Sequence, residues 1–181
     1  MATRTPATIE DLSREPGKAE IIGGELIPMA PTGGRPGYAA GEIFASLRDY
    51  ARRTSRGRAV TDNNAFRVRL ANRDSFSPDA AYYTGPDPGM RFYEGAPIFA
   101  VEVRSEGDYG AISEAAGTDK RRDYFVAGTL VVWDVDLLGA DVVRVYRAAD
   151  PDRPTVYRRG QMAEAEPAVP GWTMPVDELF P

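Results

Sequence analysis

One acidic residue lies inside an almost continuous apolar run. Glu102 interrupts residues 98–103, IFAVEV, a pattern that predicts a central strand covered on both faces of a sheet. Burying a carboxylate there without a partner is costly. Alternation along the strand puts Glu102 and Arg104 on one face. Two interpretations remain open: Glu102 pairs with an arginine as a structural ion pair, or Glu102 binds a metal ion.

Asp79 follows Pro78 at the start of a second predicted strand, residues 78–83. An aspartate in this position is commonly a turn or cap residue, because its side chain readily hydrogen-bonds nearby backbone. From the opening of a strand the carboxylate can also point out of the sheet edge into a cleft. Asp79 therefore becomes a candidate site residue only in combination with Glu102.

A predicted helix over residues 111–127 carries Ala116, Lys120 and Tyr124 in one row, the stripe expected to pack on the sheet. The Lys120 ammonium can point from this row to the strand ends, or it can extend along the helix to solvent. Glu20, beside the Gly23-Gly24 turn, could bring a further carboxylate to the same cleft.

The chain contains no histidine and no cysteine. These absences exclude a Ser-His-Asp triad, a thiol nucleophile and a histidine- or cysteine-ligated zinc site. Any catalysis must use carboxylates, lysine, tyrosine, serine or arginine. A bound metal would be a hard cation held by oxygen ligands.

Hydrophobic periodicity predicts the elements that position these residues. The most regular helix begins at Tyr38, with apolar residues following the i, i+3, i+4, i+7 rule up to Ala51. The remaining predicted elements are a helical turn at 9–12, a hairpin at 19–28, strands at 59–61, 66–70, 130–135, 141–146 and 155–157, and a terminal helix at 175–180. A strand, helix, strand order over 98–135 favours a right-handed crossover between parallel strands.

Composition places the chain among water-soluble globular proteins. Its 181 residues fit one domain over 1–181, with 43% hydrophobic and 27% charged residues. No apolar run approaches the roughly 20 residues of a membrane span, and the start MATRTPATIEDL lacks the apolar core of a signal peptide. We therefore expect a cytoplasmic protein with no membrane partner. A net charge of −5 argues against broad adhesion to nucleic acid but allows a local basic groove.

Several segments in register resemble the bacterial Uma-two (Uma2) family, restriction endonuclease-type proteins of the PD-(D/E)XK nuclease superfamily. The resemblance spans nearly the whole chain. The segments that carry it are EIIGGEL at 20–26, MAPTGG at 29–34, Pro78-Asp79, VEVRS at 101–105, Lys120 with Tyr124, AGTLVVWDVD at 127–136, and the closing residues 170–180.

The resemblance implies an α/β (α+β), restriction-endonuclease-like fold: a central mixed β-sheet flanked by helices, with an N-terminal β-hairpin. It implies that Asp79 and Glu102 hold Mg²⁺ or Mn²⁺, that Lys120 is the catalytic lysine, and that the substrate is DNA. Glu20 would complete the ligand set or position Lys120. Tyr124 would be accessory, and many superfamily members are dimers, which implies a homodimer.

The chain departs from the family pattern at three places. Arg104 stands where the wider superfamily has its lysine, Arg35-Pro36-Gly37 where many relatives have a histidine, and Ala116 where they often have an acid. Arg104 stays protonated and so cannot be a general base, although it could stabilise charge on a phosphorane-like transition state. The alternative function is therefore a homodimeric nuclease-fold protein without turnover, with a binding or regulatory role.

Overall fold

The computed structural model of the protein describes residues 5–181. The prediction that the start of the chain is not a signal peptide falls partly on residues 1–4, which lie outside this range. Within the described residues, no helix combines the length and the apolar character needed to cross a membrane.

The described chain forms three α-helices, thirteen short strands and one 3₁₀ turn. The helices are α1 (Ile9–Arg14), α2 (Gly34–Thr54) and α3 (Ala111–Val126), and the 3₁₀ turn spans Val176–Leu179. The strands are β1 (Ala19–Ile22), β2 (Glu25–Pro28), β3 (Arg58–Thr61), β4 (Phe66–Arg67), β5 (Ser75–Phe76), β6 (Ala80–Tyr83), β7 (Tyr93–Glu94), β8 (Phe99–Val103), β9 (Val131–Val135), β10 (Val143–Arg147), β11 (Asp150–Tyr157), β12 (Met162–Glu164) and β13 (Thr173–Pro175).

A six-stranded mixed sheet with strand order β11-β10-β9-β8-β6-β3 forms the centre. Helix α3 connects β8 to β9, which pair in parallel, as predicted, while the other neighbours in this sheet pair antiparallel. The N-terminal hairpin β1-β2 is present as predicted. The mixed α+β architecture of the sequence prediction is confirmed.

The two faces of the central sheet carry different cores, and alternation along β8 and β9 assigns each residue to a face. Phe99, Val101 and Trp133 pack in the larger core, beneath α2 and the C-terminal segments. Ala100 and Val132 point the other way, into a core completed by Tyr124 of α3. Glu102 and Asp134 follow Ala100 and Val132 by two residues in their strands, so their side chains lie on the α3 face.

Three predicted boundaries are wrong. Strand β11 begins at Asp150, five residues before the predicted strand at 155–157. Helix α2 begins at Gly34, four residues before the predicted start at Tyr38. Pro36 can stand there because the amide N–H groups of a first helical turn have no intrahelical partner, so nothing is lost. The predicted strand 66–70 is regular only at Phe66–Arg67, although Val68 N–H and Leu70 N–H still donate to the backbone at residues 74 and 73.

The turn before β3 depends on Gly57. Its φ is +56°, and a Cβ atom there would lie 2.7 Å from the Tyr82 ring. We expect Gly57→Ala to lower the free energy of unfolding by about 1–3 kcal/mol, through backbone strain and displacement of the ring. Urea denaturation measures this loss. Gly17→Ala is the matched control, because a Cβ at Gly17 meets nothing within 4 Å; an equal loss in both variants would contradict the explanation.

Candidate active site

Asp79 and Glu102 lie at the end of the β6-β8 pair. The antiparallel register pairs Ala80 with Val101, and one further step places Asp79 opposite Glu102. The backbone fixes Asp79 twice, since its N–H donates to Val101 O at 3.0 Å and its Oδ2 accepts from Val103 N–H at 2.7 Å. The sheet therefore brings together two carboxylates that are 23 positions apart in the sequence.

Helix α3 supplies the groups that hold Glu102. Lys120 Nζ donates to Glu102 Oε2 at 2.8 Å, and Tyr124 O–H donates to Glu102 Oε1 at 2.7 Å. The predicted row on α3 therefore does face the sheet, and Lys120 does not extend to solvent. Burial raises the pKa of Glu102. The Lys120 ammonium opposes this rise, the carboxylates of Asp79 and Glu20 add to it, and the net effect is a raised pKa.

Lys120 stays charged in this environment. Burial alone would lower the pKa of its ammonium, but Glu102 and Glu20 outweigh burial and hold the pKa above its ordinary value. Burial and the neighbouring carboxylates likewise raise the pKa of the Tyr124 hydroxyl, which remains a hydrogen-bond donor. Neither group can accept a proton from water, so both act by donating hydrogen bonds.

Glu20 of β1 is buried next to Lys120. Its side chain is 1% exposed and accepts from Lys120 Nζ at 2.9 Å, Ser77 N–H at 2.8 Å and Arg73 Nη1 at 2.5 Å. Of the two roles implied for Glu20, the contacts support positioning of Lys120 over direct ligation. Burial would raise the pKa of Glu20, but Lys120 and Arg73 more than offset burial and hold it below 4.5.

The lowered pKa of Glu20 gives a pH dependence of stability. A carboxylate whose folded pKa is depressed stabilises the native state above its unfolded pKa, and this stability is lost as the pH falls through the folded value. We expect the free energy of unfolding to decrease as the pH falls below 4.5. The decrease should be shallower in Glu20→Gln. Urea denaturation across this acid range measures both slopes, and parallel slopes would contradict the assignment.

Arg104 does not pair with Glu102. Its guanidinium binds Asp134 of β9 through two hydrogen bonds of 2.7 Å each and also binds Glu114 of α3. Four of its five N–H groups are committed in these contacts. The arginine ion pair considered for Glu102 is therefore made by Asp134, the residue beside Glu102 on the neighbouring strand β9. Arg104 forms part of the cleft wall.

Lys18 is a site residue that the sequence reasoning missed. Its Nζ lies 2.6 Å from Asp79 Oδ1 and 2.7 Å from Asp62 Oδ1, and Thr32 O–H donates to Asp62 Oδ2 at 3.1 Å. One signal was available: among 22 Lys and Arg residues, Lys18 and Lys120 are the chain's only two lysines. Both of them pair with the candidate carboxylates.

A cleft of about 490 Å³ opens over these residues. Charged side chains of both signs line it, and β1, the loop before α2, the ends of β6 and β8, and α3 contribute to the wall. The lining charged residues are Lys18, Glu20, Arg73, Asp79, Glu102, Arg104, Asp108, Glu114, Lys120, Arg121 and Asp134. A cleft of this size can hold a small ligand, and its charged side chains can supply polar contacts.

Asp79 and Glu102 fit a hard cation as a two-carboxylate site. Each accepts two hydrogen bonds, so about half of the roughly four lone-pair positions of each carboxylate remain for a metal. Among residues 5–181, no cluster of three or more acidic ligands could hold a metal ion. Mg²⁺ needs only one or two carboxylates when water and substrate phosphate complete its octahedron.

Comparison with protein families identifies the chain. The profile of the Uma2 family, described as "Putative restriction endonuclease", matches residues 6–177. The chain belongs to the Uma2 family. A search of curated proteins gives no significant match.

A solved structure supports the fold of this Uma2 chain. A crystallised protein from Anabaena variabilis, described as "a putative nuclease", superposes with a TM-score of 0.73 at 18% sequence identity. The alignment covers 97% of this chain and 98% of that protein. At this identity the likeness shows a shared fold. Together, family and fold give a nuclease-type Uma2 protein, as the sequence resemblance implied.

Proposed function

We propose that the chain is a Mg²⁺- or Mn²⁺-dependent nuclease of PD-(D/E)XK type that hydrolyses phosphodiester bonds of DNA. The observation that carries this proposal is the pairing of Asp79 with Glu102 at the end of β6-β8, beneath a cleft and beside two lysines. Two carboxylates and phosphate oxygens are the donor set that Mg²⁺ prefers.

Asp79 and Glu102 would hold the cation, and the protein fixes both before it arrives. Val103 N–H orients the Asp79 carboxylate, while Tyr124 O–H orients Glu102. A cation bound there would lower the pKa of a water molecule and neutralise charge on the phosphate and leaving oxygens. The preorganised carboxylates reduce the cost of assembling the site.

Lys120 would place a permanent positive charge at the Glu102 side of the site. The Glu20 carboxylate holds the ammonium through a 2.9 Å contact, so the charge is in place before the substrate binds. In hydrolysis, the oxygen of a water molecule forms a bond to phosphorus and that water gives one proton to solvent. The bond from phosphorus to the leaving sugar oxygen breaks, and the leaving oxygen takes one proton from solvent. Lys120 would donate to the oxygens on which negative charge grows.

A cleavage assay tests this function. Purified protein is incubated with supercoiled, linear and single-stranded DNA, with Mn²⁺ or with a chelator. The proposal predicts products only with the metal. Unchanged DNA under every condition would overturn it.

One observation favours a second candidate, a nuclease-fold binding module without turnover. Asp79 and Glu102 are each paired with a lysine, so both carboxylates have a cationic partner without a metal ion. This candidate predicts that calorimetry detects no Mn²⁺ binding. A binding isotherm that disappears in Asp79→Asn would count against it.

The resemblance also implies a homodimer and a cytoplasmic location, and both stay predictions. Sedimentation analysis of the purified protein tests the first.

A further inference from the structure

The distribution of lysine in this chain is uneven. All basic residues except Lys18 and Lys120 are arginine, including Arg73, whose side chain is 5% exposed in its ion pairs with Glu20 and Asp123. Arginine thus serves in the buried structural pair beside the site. The two exceptions contact Asp79 and Glu102, the carboxylates proposed to bind the cation.

Lysine and arginine differ in the way that matters here. A guanidinium is a planar fork suited to a fixed carboxylate, whereas an ammonium is a compact charge with three donors on a flexible stem. Lys18 Nζ makes two close contacts, at 2.6 Å to Asp79 and 2.7 Å to Asp62. One N–H of the ammonium remains for a further acceptor.

Lys18 lies at the cleft, and its neighbours hold it in position. It lines the cleft wall, and its side chain is 13% exposed. Along the extended chain Lys18 and Glu20 share one face, while Ala19 and Ile21 pack in a small apolar core on the other. Asp62 is itself fixed by the Thr32 hydroxyl, so Lys18 keeps a carboxylate partner even when Asp79 binds another cation.

We propose that Lys18 is a second catalytic lysine, which donates its remaining N–H to a phosphate oxygen of the substrate at the Asp79 side of the site. Asp62 anchors the ammonium, and Lys120 serves the Glu102 side. This inference rests on the proposed function, because it assigns Lys18 to the same phosphate.

The test compares Lys18→Met with Arg14→Met. Both variants lose one positive charge, but Arg14 lies in α1, with a side chain 75% exposed. Three quantities are measured on the full chain: Mn²⁺ affinity by calorimetry, affinity for inorganic phosphate in the presence of Mn²⁺, and the rate of DNA cleavage. Thermal unfolding confirms that each variant is folded.

We expect Lys18→Met to bind Mn²⁺ as tightly as the wild type or several-fold more tightly, since removing the ammonium removes a repulsion next to Asp79. Phosphate affinity should fall about 10-fold or more, and the cleavage rate about 100-fold, as for the loss of one preorganised donor. Arg14→Met should match the wild type in all three quantities.

Two results would overturn the inference. One is phosphate affinity and cleavage within about twofold of the wild type, a change too small for a lost preorganised donor. The other is loss of Mn²⁺ binding in Lys18→Met, which would make Lys18 only a support for Asp79. If Lys18→Met does not fold, the double variant Lys18→Met with Asp62→Asn, which removes one charge of each sign, is measured with the same expectations.

The outcome also separates this inference from the proposed function. If the wild type cleaves DNA and Lys18→Met cleaves it at the same rate, the proposed function stands and only the role of Lys18 is overturned. Phosphate binding that depends on Lys18, in a protein that cleaves no DNA, would overturn the proposed function and the catalytic role of Lys18, and would leave Lys18 as a phosphate-binding residue.

Discussion

Replacing Glu102 with glutamine should lower the rate of DNA cleavage by about 1,000-fold, because several kcal/mol of charge stabilisation depend on the bound cation. Glutamine keeps the side-chain volume and one oxygen acceptor for Lys120 or Tyr124, so the fold should survive. Asp79→Asn should show a loss of similar size. Initial rates with Mn²⁺ measure both effects.

The control for this prediction is Glu94→Gln, the same chemical change on β7. Glu94 does not line the cleft, and its carboxylate lies 3.5 Å from the guanidinium of Arg67. The rate of this variant should equal that of the wild type. If Glu102→Gln cleaved DNA at the wild-type rate, Glu102 would have no part in the reaction.

Glu20→Gln should produce the largest loss of stability among single changes in the site. Its carboxylate is 1% exposed and neutralises both Arg73 and Lys120. Without it, Arg73 keeps only Asp123 and Lys120 keeps only Glu102 as a carboxylate partner. Removing one partner from a buried ion pair typically costs about 3–5 kcal/mol. Urea denaturation at neutral pH should show this decrease in the free energy of unfolding.

Glu178→Gln, at an exposed position of the 3₁₀ turn, is the control for Glu20, and it should change stability by less than about 0.5 kcal/mol. If Glu20→Gln changed the free energy of unfolding as little as Glu178→Gln, the buried ion network would have no structural role. Loss of stability also separates Glu20 from Glu102, whose substitution is expected to act mainly on cleavage.

The local sequence pattern predicted one of the two central carboxylates. Glu102 interrupts an apolar strand, and alternation along that strand correctly placed Phe99, Val101 and Val103 on the face opposite to Glu102. No comparable local pattern marks Asp79. Only the register of β6 against β8 brings it to Glu102, and in the sequence this relation came from the family resemblance.

Partner choice could not be predicted from alternation. Arg104 and Glu102 share a face in the extended chain, yet Arg104 binds Asp134, a residue presented by β9 through its register beside β8. The position of Lys18 near Asp79 depends on how the N-terminal hairpin packs on the sheet, and the two residues are 61 positions apart. Long-range packing of this kind has no local pattern, although the scarcity of lysine was a usable signal.

The proposed function depends most on the binding of one divalent cation by Asp79 and Glu102 together. Crystals soaked in Mn²⁺ and measured for anomalous scattering test it most directly. We expect one strong peak between the two carboxylates, about 2–2.5 Å from an oxygen of each, as expected for oxygen ligands of a hard cation. This peak should disappear in Asp79→Asn crystals. A wild-type map with no anomalous peak between these carboxylates would show that they do not hold a cation together.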